Sequence, residues 1–226
     1  MAESNKELVP KFFDRTSESY DKIVSRATLG KDSYWKKEIL KKIPKCDSIL
    51  DLACGTGILT QQIAQKIPDA KIVGVDVTAS YLEIAKKKLA SNPNITFVHQ
   101  DAEKINLNTK FDCITSSYIP KYCTAEILVK TSLNHLKPGG KIILHDFTYP
   151  KNILVRKIWN LFFVILNRLG KYAPDWKEVF IEIPKLIRSS NWVEEYETSM
   201  RKNGLIVERQ SLSWGTSAIL TGSNVV

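Results

Sequence analysis

The stretch Ile49-Leu50-Asp51-Leu52-Ala53-Cys54-Gly55-Thr56-Gly57 constrains this chain more than any other. It reads as a short buried strand ending in an acid and a Gly-x-Gly turn, with a helical pattern from Ile58 to Ile67 directly behind it. Such a turn lets a ligand touch the backbone, because glycine has no Cβ to obstruct close approach. Units of this type then recur: a strand at Ile72 to Val75, a helix from Ser80 to Ala90, strands at Ile95 to Val98 and Phe111 to Ser116, and a helix from Thr124 to Leu136. The turn Lys137-Pro138-Gly139-Gly140 leads into a strand from Lys141 to Asp146. Strands alternating with helices of about ten residues imply parallel pairing and right-handed crossovers, hence an α/β doubly wound sheet.

The flanks differ from this core. Residues 1–44 read as a helical lid, with Phe12, Phe13 and Tyr20 as apolar points and a Lys-rich helix that ends before Pro44. The cofactor-binding core spans 45–150, a helical cap insertion 151–190, and a C-terminal helix (Val193 to Lys202) with a β-hairpin (Leu205 to Leu212, Thr216 to Thr221) fills 191–226. All four segments are expected to form one domain.

Three ligands compete for the glycine turn. A P-loop needs Lys-Ser or Lys-Thr after the second glycine, where Ile58-Leu59 stands, and a dinucleotide fingerprint needs Gly or Ala where Thr60 stands. S-adenosylmethionine carries a cationic amino group, a sulfonium and no phosphate, so Asp51 ahead of the turn suits it and would repel a pyrophosphate. Asp76, closing Val73-Gly74-Val75-Asp76, is placed to accept ribose hydroxyls, which nicotinamide dinucleotides share. Asp101, in His99-Gln100-Asp101-Ala102, is placed to accept from an adenine amino group. Three acids at three strand ends are therefore expected on one crevice.

On these motifs residues 48–146 resemble the class I S-adenosylmethionine-dependent methyltransferases, which implies a Rossmann-like seven-stranded sheet with a terminal antiparallel hairpin. The flanks are similar to the ubiquinone/menaquinone biosynthesis C-methyltransferases: Phe12-Phe13-Asp14-Arg15 followed by Tyr20-Asp21, Leu29-Gly30 with Trp35-Lys36, Phe111-Asp112-Cys113-Ile114-Thr115, His145-Asp146-Phe147-Thr148-Tyr149-Pro150, and Leu212 to Ala218. Two departures stand out. The family's Arg-Asn pair after the fourth strand is replaced by Tyr118-Ile119-Pro120-Lys121-Tyr122, which keeps a cation only as Lys121, and a Tyr-x-x-x-Ser-Ile segment is missing from Ile181 to Ile187. The resemblance implies cofactor contacts at Tyr20, Asp51, Ala53, Gly55, Thr56, Gly57, Asp76, Val77, Asp101, Ala102 and Ser116. It places Tyr118, Lys121, His145 and Asp146 near the acceptor.

Methyl transfer is an in-line displacement that a dry site accelerates by holding both reactants in line, so no covalent nucleophile is required of the enzyme. His145 or Asp146 would serve as a base, with Lys121 or Tyr118 holding the resulting anion; the competing readings are a loop-propping histidine, a helix cap and a solvated lysine. The expected reaction is ring C-methylation of a prenylated quinone precursor. The alternatives are a phenolic, fatty-acid or sterol-like acceptor, or a non-catalytic lipid- or RNA-binding module.

Composition helps once its charge is located. Of a formal net charge of +9, the segment Lys151 to Arg188 holds eight basic and three acidic residues around the apolar run from Trp159 to Leu166. It reads either as a cap over a hydrophobic small-molecule acceptor, with a rim making peripheral contact with an anionic membrane, or as a buried helix with solvated lysines. No nucleic-acid signature and no metal-ligand spacing accompany it, so neither partner is expected. The polar N-terminus is followed by no apolar leader, and Cys46, Cys54, Cys113 and Cys123 form no Cys-x-x-Cys pair. The chain is thus expected in the cytoplasm with reduced thiols.

Overall fold

The computed structural model describes Phe13 and residues 16–224. Phe12, Asp14 and Arg15 of the opening segment lie outside the described residues. Two N-terminal helices, α1 (Tyr20–Ala27) and α2 (Lys31–Lys42), precede β1 (Ser48–Leu52), α3 (Ile58–Lys66), β2 (Lys71–Asp76), α4 (Ala79–Lys88), β3 (Ile95–His99) and β4 (Phe111–Ser117). Then follow α5 (Ala125–Asn134), β5 (Leu136–Phe147), the cap helices α6 (Ile153–Leu169) and α7 (Pro174–Ser189), α8 (Trp192–Lys202), β6 (Leu205–Leu212) and β7 (Ser217–Asn224).

The seven strands lie in the order β3-β2-β1-β4-β5-β7-β6. The first five pair in parallel, and β7 inserts antiparallel between β5 and β6, so the expected terminal hairpin is present. The winding direction reverses between β1 and β4, and ligands of open α/β sheets bind at the carboxyl ends of strands beside such a switch.

Both faces of the sheet are covered, which explains why its strands are near-continuous apolar runs. Leu50, Leu52, Ile114 and Leu144 pack on one face with Leu128 of α5 and Trp192, Tyr196 and Met200 of α8. Ile49, Ile72, Cys113 and Ile143 pack on the other with Trp35 and Ile39 of α2 and Ile63 of α3. The free cysteine Cys113 is buried among these residues, and Cys54 is buried in the glycine turn.

Two local expectations are revised. The Lys137 to Gly140 turn does not separate a helix from a strand: β5 already begins at Leu136, paired with Phe111, and the register shifts before Lys141 meets Cys113. Gly139, at φ +74°, absorbs the resulting bulge. The insertion is a pair of helices, and α6 is not a buried helix: Trp159 is its one buried residue. No helix among the described residues is long and apolar enough to cross a membrane.

The indole of Trp192 donates to the Phe147 carbonyl at 2.7 Å and its ring is 1% exposed. Trp192→Ala should therefore cost about 3–5 kcal/mol in a denaturant titration. A loss below about 1 kcal/mol would contradict this packing.

Candidate active site

The glycine turn is held open by its backbone. Ala53, Gly55 and Gly57 have φ of +53°, +56° and +79°. A Cβ on Gly57 would also lie 3.2 Å from Ala85 Cβ and Leu89 Cδ1, so this glycine is required both for its conformation and for the approach of α4. Asp76, at the end of β2, reaches across the turn: its carboxylate accepts from Gly55 N–H and Thr78 N–H, each at 2.8 Å. Burial pushes its pKa up against these hydrogen bonds, which stabilise the ionised form.

A crevice of about 240 Å³ opens here. Ala53, Gly55, Asp76, Val77, Asp101 and Ala102 line it. Asp101 is braced by Glu103 N–H at 2.9 Å. The opposite wall is aromatic, from Phe13, Tyr20, Tyr81 and Tyr122, with the Tyr20 and Tyr81 centroids 5.1 Å apart. A small recess joins Asp51 and Thr56 to Lys36 and Tyr20. Asp51 is 1% exposed and accepts from the Thr60 and Thr115 hydroxyls at 2.7 and 3.0 Å. Desolvation still raises its pKa to about 6. The Thr56 hydroxyl donates to Asp21, whose other oxygen meets Lys88 at 2.6 Å, which ties α1 over the turn.

Ser116 departs from its expected placement. It is fully buried and donates to the Leu52 carbonyl at 2.7 Å, while Ser117 lines the crevice. Strand parity explains the offset, because side chains alternate across a strand and Ser117 shares the face of Thr115, which binds Asp51.

A second cavity of about 100 Å³ adjoins the first beneath the cap. Phe13, Tyr20, Tyr118 and Tyr122 belong to both. Its other walls are apolar residues such as Phe147, Phe163, Leu166, Trp176 and Phe180, and its one charged residue is Lys121.

Tyr118, Lys121, His145 and Asp146 lie close together, but not as a base set apart from a free cation, and His145 and Asp146 line neither cavity. Lys121 and Asp146 form an ion pair at 2.9 Å with both side chains almost wholly buried. The Lys121 ammonium also donates to the Tyr118 carbonyl at 2.7 Å, and Asp146 accepts from Lys121 N–H and Phe147 N–H at 3.1 and 2.7 Å. Desolvation lowers the Lys121 pKa and the carboxylate opposes it. His145 is fully buried, with Nδ1 2.9 Å from the Ser117 hydroxyl and Nε2 2.7 Å from that of Ser217. Burial and the two lysines Lys36 and Lys121 hold its pKa well below the usual histidine range. It lines neither cavity and instead joins the last residue of β4 to the first of β7. Tyr118 has φ +75°, stacks on Phe147 with centroids 4.9 Å apart, and donates its hydroxyl to Asp32 at 2.6 Å. Asp32 in turn pairs with the buried Lys36.

Sequence reasoning passed over Tyr81, Ser117 and Tyr122 as site residues. Tyr81 falls on the first turn of a helix, where an aromatic reads as core, whereas the parity of β4 carried a usable signal for Ser117. Among the described residues no group of His, Cys, Asp and Glu is placed to hold a metal. The residues present fit an adenosyl cofactor bearing a positive charge: a carboxylate braced by the turn, a second beyond it, small residues at Ala53 and Ala102, and aromatic faces that attract cations.

Comparison with known proteins agrees with this geometry. The model of the ubiE/COQ5 methyltransferase family matches residues 1–224. A demethylmenaquinone methyltransferase of Staphylococcus aureus (strain JH9) is 27% identical over 229 residues, covering 97% of this chain and 94% of that protein. The fold is shared with the geranyl diphosphate C-methyltransferase of Streptomyces coelicolor A3(2), at a TM-score of 0.64 and 12% identity over 86% of this chain and 79% of that one. It is shared as well with the N-methyltransferase NodS of Bradyrhizobium japonicum WM9, at a TM-score of 0.59 and 12% identity over 86% and 97% of the two chains. With the glycine turn, the spaced acids and the reversal between β1 and β4, the whole-chain match shows that this chain belongs to the ubiE/COQ5 methyltransferase family and is an S-adenosylmethionine-dependent methyltransferase.

Proposed function

We propose that the enzyme methylates a ring carbon of a prenylated quinol precursor seated beneath α6 and α7. The observation that carries this reading is the junction of an acid-lined crevice with an almost wholly apolar pocket through shared aromatic walls. The quinone substrate class in the name of the Staphylococcus aureus relative supports it.

When bound, S-adenosylmethionine supplies an electrophilic methyl group on a sulfonium centre. We assign its ribose to Asp76, its adenine to Asp101, Ala102 and Val77, and its amino-acid end to the Gly55–Gly57 turn, Asp51, Thr56 and Lys36. Tyr20 and Tyr81 face the sulfonium side of the crevice. The apolar pocket takes the ring and the start of the prenyl chain and excludes water, which strengthens every charge interaction inside it. Tyr118 and the Lys121–Asp146 pair form its polar end, and His145 braces Ser117. The acceptor's ring oxygen is ionised or hydrogen-bonded at that end, which feeds electron density into the ring carbon.

The proposal extends to a membrane surface. Leu154, Ile158, Leu161, Ile165 and Leu169 recur at helical spacing on α6, each about half exposed or more. Lys157 and Arg168 are exposed on the same helix, and Phe163 and Leu166 line the pocket. One helix thus carries a stripe suited to acyl chains, cations suited to anionic headgroups and a wall of the acceptor pocket. The occupant of this face is an anionic bilayer, from which a prenylated acceptor would enter.

Four outcomes follow. Purified enzyme given S-adenosylmethionine and a short-chain demethylmenaquinol should yield the singly methylated ring by mass spectrometry, and no turnover would remove this acceptor. Asp76→Ala should weaken S-adenosylhomocysteine binding about 100-fold in calorimetry while the unfolding midpoint stays within a few degrees. An ammonium group prefers ionised Asp51, so affinity should be flat above about pH 7 and fall up to about tenfold toward pH 5, with the slope absent in Asp51→Asn; a flat wild-type profile would contradict the Asp51 assignment. In vesicle sedimentation, phosphatidylglycerol should retain the wild type and lose Ile158→Glu/Leu161→Glu, and equal retention of both would contradict the membrane face.

A further inference from the structure

Tyr122 closes the single helical turn Pro120–Tyr122 that follows β4, and it is 4% exposed. Its hydroxyl is buried and meets no hydrogen-bond partner among the described residues. Five other buried side-chain atoms share that condition, on Gln62, Ser80, Tyr196, Ser199 and Thr221, but none of those residues lines the crevice or the apolar pocket. Tyr122 lines both. A buried hydroxyl left unpaired is costly, so an unmet O–H on a residue that lines both cavities is a candidate for a bond completed by a ligand.

The surroundings define what that bond is. The Lys121 ammonium lies 4.4 Å from the Tyr122 ring centroid, held by Asp146 and the Tyr118 carbonyl. A cation over the face of a phenol draws electron density from the ring and makes its O–H a stronger donor. Phe13 meets the same ring edge to face at 6.1 Å, so the ring is clamped and its hydroxyl oxygen has a fixed position. Burial, with Asp146 and Tyr20 nearby, pushes the phenol pKa well above its usual value, so the group stays neutral and donates.

We infer that the Tyr122 hydroxyl donates a hydrogen bond to a ring oxygen of the acceptor, orienting the ring so that the adjacent carbon faces the cofactor crevice. Lys121, through the Tyr122 ring, is a positioning residue for that donor. This inference rests on the quinol reading for the identity of the oxygen, and it also predicts a preference for phenols over arenes that needs no turnover to observe.

The test compares wild type with Tyr122→Phe, which keeps the ring and its packing and removes only the hydroxyl. The two probes are a short-chain prenylated 1,4-dihydroxynaphthalene, kept reduced by dithionite, and the same prenylated naphthalene without its hydroxyls. Calorimetry with S-adenosylhomocysteine present should show the wild type favouring the dihydroxy probe, and the variant losing about tenfold of that preference. S-adenosylhomocysteine alone should bind both proteins within about twofold, and kcat/KM for the dihydroxy probe should fall about 10- to 100-fold in the variant. A phenol preference that is absent in the wild type or retained in Tyr122→Phe would overturn the inference. So would a loss of S-adenosylhomocysteine affinity, which would assign the hydroxyl to the cofactor instead. If the wild type binds the dihydroxy probe with the predicted preference and does not methylate it, the quinol reading falls and the role of Tyr122 stands.

Discussion

The buried ion pair between Lys121 and Asp146 is the contact on which the site depends. Taking two charges out of water costs several kcal/mol per ion, and this cost is offset only if the pair is close and its remaining hydrogen-bonding groups are met. Both conditions hold here: the ammonium and carboxylate are 2.9 Å apart, and each makes further bonds to backbone around Tyr118, Lys121 and Phe147. The pair therefore fastens the turn after β4 to the end of β5. That fastening sets Tyr118 on Phe147 and Tyr122 against Phe13, and Tyr118, Tyr122 and Phe13 belong to the shared wall of the two cavities. Removing either partner would leave an uncompensated charge inside that wall.

The division of labour between the cavities follows from charge. The crevice presents Asp76 and Asp101 with aromatic faces, a lining suited to a cation. The pocket beneath the cap presents aromatic and aliphatic side chains with the Lys121 cation already neutralised by Asp146, a lining suited to an apolar ring. Transfer of a methyl cation equivalent between such partners gains from low dielectric and exact alignment more than from a reactive side chain. A buried group that is catalytic by type can then be taken up wholly by hydrogen bonds within the protein: His145 spends both ring nitrogens on Ser117 and Ser217.

Much of the fold was legible because its signals are local. The alternation from Leu50 to Asp146 named the parallel strands, and the Leu205 to Thr221 hairpin named the antiparallel pair. The bulge after Leu136 was hidden, because Lys137-Pro138-Gly139-Gly140 has the composition of a free turn and only pairing with Phe111 makes it part of a strand. Within the site, Asp76 and Asp101 could be read from their places at strand ends. Tyr81 and Tyr122 could not, since an aromatic residue that lines a cavity has the same pattern as one that fills a core. The pairing of Lys121 with Asp146 joins residues 25 apart in sequence, and nothing local announces it.

The most direct test of the two-cavity account is a crystal structure with S-adenosylhomocysteine and a short-chain prenylated dihydroxynaphthalene bound together. The account predicts the adenosyl group across Asp76 and Asp101, and the acceptor ring between Tyr118 and Tyr122 with its tail running under α6 and α7. An acceptor ring bound anywhere else, with the apolar pocket left to protein side chains, would contradict it.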